Sequence, residues 1–328
     1  MTLKTPHPIM SSELALVEAH LYEYIGREEG VLGEVLAQVM QSRGKMLRPM
    51  LLLLAGRLGL GGRTAPKGYQ DRLCRLGALL ELVHLASLIH DDIIDDSPLR
   101  RGKATLQYAF GKDVAVYTGD FLLARIVYHL LNENFQISGV FLAEAVQAMC
   151  RGEIAQYRLR HNPDTTTQSY IQNIRDKTAS MFIAACRIAA HESGCATQLS
   201  SSLEAIGHHM GCAFQLRDDI LDFTSSPTQE GKPTHADFRD GIFTLPVLHT
   251  LGSPRYGLEL RGLIHSSYKT YSNEDIAKMQ EFVELSGGID YTKTQISAHT
   301  QAIRTFLQIF PDTEEKEALF DITFWLEA

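Results

Sequence analysis

The sequence has little of what interrupts helices, and it lacks several familiar chemical signatures. Eleven prolines in 328 residues is few, which leans toward long helices. The five cysteines, Cys74, Cys150, Cys186, Cys195 and Cys212, are dispersed, and no pair has C-x-x-C spacing. An odd, scattered count reads as reduced, buried thiols of a cytoplasmic protein. Positive charge is in deficit, 31 basic against 39 acidic side chains, a net of −8. That argues against a nucleic-acid platform. No apolar run reaches the length of a membrane span, since the greasiest, Met50 to Ala55, lies between Arg48 and Arg57. No signal-peptide core follows the first methionine. G-x-G-x-x-G, H-E-x-x-H and G-x-S-x-G are all missing. The EGKPT stretch has Pro233 where a P-loop needs Ser or Thr.

What is present is an ordinary globular composition, 45% apolar and 21% charged, with helical periodicity nearly throughout. Ser11 or Ser12 is placed to cap a first helix, and Pro49 fits the first turn of another. A long apolar helix is expected from about Asp71 toward Asp96, stopped by Ser97-Pro98. Further helices are expected over roughly 105–133, 138–161, 167–192 and 198–223. Two polar loops cover 59–68 and 225–237, and shorter helices follow from Phe238. No β-alternating run, repeat or linker stands out. The reading is one all-α domain over residues 1–328, built by helix packing.

Two acidic turns carry the chemistry. HDDIIDD holds Asp91, Asp92, Asp95 and Asp96, and RDDILD holds Asp218, Asp219 and Asp222. Positions i and i+4 lie about 40° apart on a helix, so Asp91 stacks on Asp95 and Asp218 on Asp222. Carboxylates this close repel one another, and core packing asks for none of them. One such turn is usually a solvated face. Two copies of D-D-x-x-D among Leu, Ile and Phe point instead to a cation. All-oxygen donors suit a hard ion, and Mg²⁺ takes few carboxylates and completes its shell with water or phosphate. Basic residues supply the matching half: Lys45 and Arg48 in RGKMLRP, Arg100 and Arg101 after the first turn, Lys177 in DKTAS and Lys232 in EGKP. Guanidinium and ammonium groups fit phosphate oxygens.

These residues resemble the trans-isoprenyl (polyprenyl) diphosphate synthase family. The likeness rests on GKMLRP (44–49), ELVHLASLIHDDIIDDSPLRRGKAT (81–105), GDFLLA (119–124), GEIAQ (152–156), DKTA (176–179), FQLRDDILD (214–222), GKP (231–233) and TLPVL (244–248). They run in family order over about 40–250, while the helices of 251–328 match loosely. The resemblance implies an all-α bundle of the isoprenoid synthase type with a central elongation cavity. Its two aspartate turns would face each other and hold a three-ion Mg²⁺ cluster with bound diphosphate. Asp91, Asp95 and Asp218 would be the principal ligands, with Asp92 and Asp222 supporting them. Arg100, Lys177, Thr178, Gln215 and Lys232 would serve the allylic diphosphate, farnesyl or geranylgeranyl. Lys45, Arg48, His84 and Arg101 would hold isopentenyl diphosphate. The reaction implied is head-to-tail condensation through an allylic cation. A homodimer is implied, with no nucleic acid and no transmembrane segment.

Product length is read from the helix before Asp91. Ala86 and Ser87 lie about one turn below the metals, with Val83 deeper, and none is a bulky aromatic. A turn rises about 5.4 Å, roughly one isoprene unit. The expectation is a long-chain product, about C30 to C50, suited to a quinone side chain. A short-chain product of about C15 to C20, or a subunit of a heteromeric synthase, is the alternative. A more remote one is a metal-dependent phosphohydrolase built on His90-Asp91. Two departures from the family pattern stand in the second loop region, His235 where many relatives have Gly and Ile242 where many have Lys.

Overall fold

The computed structural model describes residues 8–41, 44–224, 235–267 and 270–328. Its elements are α1 (Ser11–Ile25), α2 (Gly30–Gln41), α3 (Leu47–Gly59), α4 (Tyr69–Ile94), β1 (Leu99–Arg100), β2 (Lys103–Ala104), α5 (Leu106–Phe110), α6 (Lys112–Asn132), α7 (Gln136–Leu159) and α8 (Thr167–Ile174). A π-helical turn, Arg175–Ala179, leads into α9 (Ser180–Ser193) and α10 (Thr197–Thr224). Then come α11 (Ala236–Arg239), α12 (Leu245–Leu251), α13 (Gly257–Ser266), α14 (Asn273–Ser286), α15 (Gly288–Leu307) and α16 (Glu314–Glu327). The expected all-α class holds. The chain divides into two compact units.

The first unit takes the described residues up to Val146, with Met181–Gly207 and Phe306–Trp325. Its centre is α4, which packs against α1, α3 and α6. Leu76, Leu79, Leu80, Leu82 and Val83 are all buried, so apolar residues surround the helix instead of forming a stripe. Asp71 in its first turn complements the helix dipole. The helix ends at Ile94, two residues short of the expected Asp96, and Asp95 serves as its C-cap. The expected helix over 105–133 is two helices, because Gly111 at φ 93° breaks the path between α5 and α6. Neither Ser11 nor Ser12 caps α1. Met10 occupies the cap, and the Ser12 hydroxyl bonds Glu13 instead.

Two helices, α4 and α6, are long and apolar enough to cross a membrane by length and composition, where the sequence reading found none. The difference arises because Met50 to Ala55 is a dense run, whereas these helices spread their apolar residues over many turns. In α4 those residues form the core of the first unit. In α6 one face meets α4, while Tyr117, Val127, Tyr128 and Leu131 are exposed.

The second unit takes Gln147–Ser180, the described part of His208–Thr305, and Leu326–Ala328. Its α12 packs against α8, α13 and α14. Ser272 and Asp275 close α14 with a reciprocal capping box, which satisfies two otherwise unpaired N–H groups.

Candidate active site

In the first unit, α4 delivers Asp91 and Asp92, and the chain then turns through a two-residue hairpin. Leu99 pairs with Ala104 and Arg100 with Lys103. Arg101 at φ 51° and Gly102 at φ 75° form the turn between them. A type I′ turn requires positive φ at both central residues, and Gly102 meets that at no steric cost. This hairpin, the one strand pair among the described residues, was not expected from sequence because its strands are only two residues long. It folds the R-R-G segment back onto α4. Arg100 Nε donates to Asp92 Oδ1 at 2.8 Å. Gln107 Nε2 donates to the Asp92 carbonyl at 2.6 Å, and the Thr105 hydroxyl to the Ser97 carbonyl at 2.7 Å.

Asp92 is therefore buried and ion-paired, while Asp91 is half-buried and Asp95 exposed. Asp96 is exposed and pairs with Lys112 at 2.8 Å. The bond from Arg100 uses Nε, so Asp92 fixes where the guanidinium sits. Four of the expected phosphate binders gather nearby. Burial first, then the charges of Arg48, Arg101 and Arg100, hold the His84 imidazole well below its ordinary proton affinity. Burial and Arg100 likewise lower Arg101, with Glu81 opposing them. Gly44 lies against the Arg101 guanidinium, 2.9 Å from where a Cβ would stand. Lys45 is exposed, with Nζ 5.5 Å from the Trp325 ring centroid. Val83 and Ala86 are buried in α4, and the half-buried Ser87 donates its hydroxyl to the His84 carbonyl at 2.8 Å. His90 lies 3.5 Å from Asp120 of α6.

In the second unit, Asp218 is exposed, Asp222 half-buried and Asp219 fully buried. Asp219 accepts from the Tyr170 hydroxyl and from Gln215 Nε2 at 3.0 Å. Gln215 in turn accepts from the Thr178 hydroxyl at 2.7 Å. The two residues expected on the allylic side, Thr178 and Gln215, thus form one chain with Asp219 and Tyr170. Burial raises the Asp219 carboxyl to about 6, against the hydrogen bonds from Tyr170 and Gln215. Lys177 sits in the π-helical turn, 2.9 Å from Glu153 and 3.4 Å from Gln156. π turns are rare and often mark functional sites. Gly152 in α7 permits this approach, since a Cβ there would come within 2.7 Å of the Lys177 nitrogen. Asn173 Nδ2 secures the same contact by donating to the Gly152 carbonyl at 2.6 Å.

Sequence reading missed Tyr170 and Asp237, and it counted Asp219 in the second acidic turn without giving it a role. Burial, Asp222 and Asp219 raise the Asp237 carboxyl, with Lys177 opposing them. Its D-F-R setting carries no motif, and the signal is purely spatial. Lys232 lies outside the described residues. His235 adopts φ 58°, a conformation that strains a non-glycine residue by about 1–2 kcal/mol. Two contacts hold the side chain: Nε2 is 3.2 Å from Gln280 Oε1, and the ring lies 5.2 Å from Phe223.

The donors fit a hard cation in kind. Asp91, Asp95, Asp218 and Asp222 offer oxygen only. Among the described residues no three His, Cys, Asp or Glu side chains already surround one point. Mg²⁺ does not require that, because water and phosphate complete its shell.

A sequence model of the family described as Polyprenyl synthetase matches residues 29–285. This chain belongs to that family. It is a prenyltransferase, as the motifs led us to expect. The relative "Heptaprenyl diphosphate synthase component 2" of Geobacillus stearothermophilus is 38% identical over 255 residues, 78% of each chain. "Octaprenyl diphosphate synthase" of Escherichia coli is 30% identical, covering 98% of this chain and 97% of its own. Among solved structures, polyprenyl synthase from Caulobacter crescentus CB15, complexed with calcium and isoprenyl diphosphate, superposes with a TM-score of 0.88. It is 28% identical, over 97% of this chain and 95% of that one. The phosphohydrolase alternative falls with this match, and His90 sits instead beside Asp120.

Proposed function

We propose that this polyprenyl synthetase extends an allylic diphosphate with isopentenyl diphosphate to a product of about C30 to C50. One observation carries the reading: Arg100 joins the first aspartate turn to the cluster of Arg48, His84 and Arg101. Opposed charge of this kind serves a phosphorylated substrate held through a cation. Relatives named for seven and eight prenyl units favour the long product. So do the small side chains at Ala86 and Ser87.

Asp91, Asp95 and Asp218, with Asp92 and Asp222 in support, would hold Mg²⁺, which supplies Lewis-acid neutralisation of the departing diphosphate. Arg100, Lys177, Thr178, Gln215 and Lys232 orient the allylic diphosphate. Lys45, Arg48, His84 and Arg101 hold isopentenyl diphosphate, the neutral His84 contributing hydrogen bonding without charge. The allylic C–O bond breaks, and its electron pair leaves with diphosphate. The isopentenyl double bond forms the new C–C bond, and the departing diphosphate takes the proton. No protein nucleophile is needed, in line with the missing triad motifs. Positive groups fixed where the leaving charge develops do the electrostatic work.

We read the chain as one catalytic domain of a cytoplasmic homodimer. The exposed apolar face of α6, Tyr117, Val127, Tyr128 and Leu131, supports a protein partner there. A relative named as a "component" makes a second, different subunit the other candidate. A quinone side chain is the proposed destination of the product.

The test is a product assay on the purified chain with labelled isopentenyl diphosphate, farnesyl diphosphate and Mg²⁺, sized after dephosphorylation. A ladder ending between about C30 and C50 is expected, and Ala86→Phe should shorten it. A stop at about C15 to C20 rejects the long-chain reading. No incorporation by folded protein, restored by a second subunit, rejects the homodimer.

A further inference from the structure

Two positive side chains stand at the start of α3, the end of a helix least favourable to positive charge. Lys45 lies two residues before the first helical residue, Leu47, and Arg48 is in the first turn. That turn holds no acidic side chain. Between them Met46, at φ 51°, takes the left-handed conformation and sets the path by which the chain enters the helix. Each cation meets an aromatic ring. Lys45 Nζ is 5.5 Å from the Trp325 ring centroid on α16, and the Arg48 guanidinium carbon is 5.0 Å from that of Phe182 on α9. Both distances lie within the reach of about 6 Å over which a ring face attracts a cation. The two rings are buried, while Lys45 is exposed. All four residues belong to the first unit.

A ring differs from a carboxylate as a partner. Its quadrupole attracts the cation and leaves the net charge in place, whereas a carboxylate cancels that charge. Arg100 and Lys177 have carboxylate partners, Asp92 and Glu153. Lys45 on Trp325 keeps its whole charge for an incoming anion. Lysine also carries a long flexible stem, whose rotamer freedom is lost when a ligand fixes the ammonium. A ring that already holds the ammonium removes part of that loss before the ligand arrives.

We propose that Trp325 is a positioning residue for isopentenyl diphosphate, its buried ring seating the Lys45 ammonium at the start of α3. The proposal rests on the reading of Lys45 as a contact for that diphosphate. Trp325 itself touches no substrate. It makes α16, in the part of the chain where the motifs match loosely, a determinant of affinity for one substrate of the two.

The test uses Trp325 as its own reporter, since the chain has a single tryptophan. In ligand-free protein, Lys45→Gln should change the tryptophan emission, because it takes a cation from the ring face. Isopentenyl diphosphate, added without an allylic primer, should give a saturable change in the parent and a much weaker one in Lys45→Gln. In steady-state assays, Trp325→Leu should raise KM for isopentenyl diphosphate by about two- to fivefold, the scale of one exposed cation–π contact. Its kcat and its KM for farnesyl diphosphate should stay those of the parent, and Trp325→Phe should recover part of the affinity. Placed in the Lys45→Gln background, Trp325→Leu should add nothing further. An equal effect in that background, or on both substrates, overturns the proposal. If Trp325→Leu does not fold, the emission comparison decides, because Lys45 is exposed and its substitution spares the core. Turnover by a parent whose emission ignores both Lys45→Gln and isopentenyl diphosphate rejects the proposal alone. A parent that neither incorporates isopentenyl diphosphate nor answers it in emission rejects the functional reading, and the proposal with it.

Discussion

The two aspartate turns share one spelling, and their middle residues meet different fates. In both, the outer pair, Asp91 with Asp95 and Asp218 with Asp222, keeps access to solvent, while the middle carboxylate turns inward. Asp92 meets a cation, Arg100, delivered eight residues later by a local hairpin. Asp219 meets a phenol and an amide, Tyr170 and Gln215, the first from 49 residues away. In the first turn charge answers charge, and the buried acid aims an arginine. In the second, neutral donors answer a carboxyl whose proton affinity burial has raised to about 6, and the network aims Gln215 and Thr178. The difference shows that D-D-x-x-D fixes only the outer ligands. The middle position is free to take whatever partner its own neighbourhood supplies.

Removing an outer carboxylate should have the largest effect. Asp91→Ala and Asp218→Ala should each lower kcat by about a hundred- to a thousandfold, the scale of losing one transition-state contact. Because Asp218 is exposed, its variant should melt like the parent. Activity retained in either variant would break the equivalence of the outer pairs.

The middle positions should separate in stability. Asp92→Asn strips Arg100 of its buried partner, and urea unfolding should show a loss of about 3 kcal/mol. Asp219→Asn keeps an oxygen acceptor for Tyr170 and should cost only about 1 kcal/mol. Equal losses would erase the distinction between charged and neutral pairing. Its sign can also be read against pH in metal-free buffer. A carboxyl raised from 3.8 to about 6 favours folding in its protonated form, so the parent loses stability as pH rises through that window. Asp219→Asn does not titrate, and should gain on the parent over the same range. Smallest is Tyr170→Phe, about 1 kcal/mol or less, since Gln215 still donates to Asp219.

Much of this was legible in the residues because it is local. Helical periodicity, the i, i+4 carboxylates and the basic residues that follow them lie within a few turns of one another. Family likeness grouped Lys45, Arg48, His84 and Arg101 for one substrate and placed Arg100 with the other, whereas α3, α4 and the hairpin set Arg100 beside Arg48, His84 and Arg101. What sequence hid is long-range or very short. Tyr170 reaches Asp219 across an interval no periodicity spans. The hairpin strands are too short to alternate, and Gly111 ends a helix that the apolar pattern would continue. His235 illustrates a third case. The departure from glycine was visible, and its left-handed backbone gives the physical reason why glycine suits the place.

The hairpin after the first turn acts as a divider of labour. Arg100 and Arg101 are adjacent in the chain, yet one belongs to a strand and the other to the bend. The first is tied to Asp92, while the second lies against Gly44 and feels Glu81. Two identical side chains thus acquire separate addresses from handedness alone. A single residue inserted at the bend would shift that phase and reassign both arginines, without altering the chemistry of either.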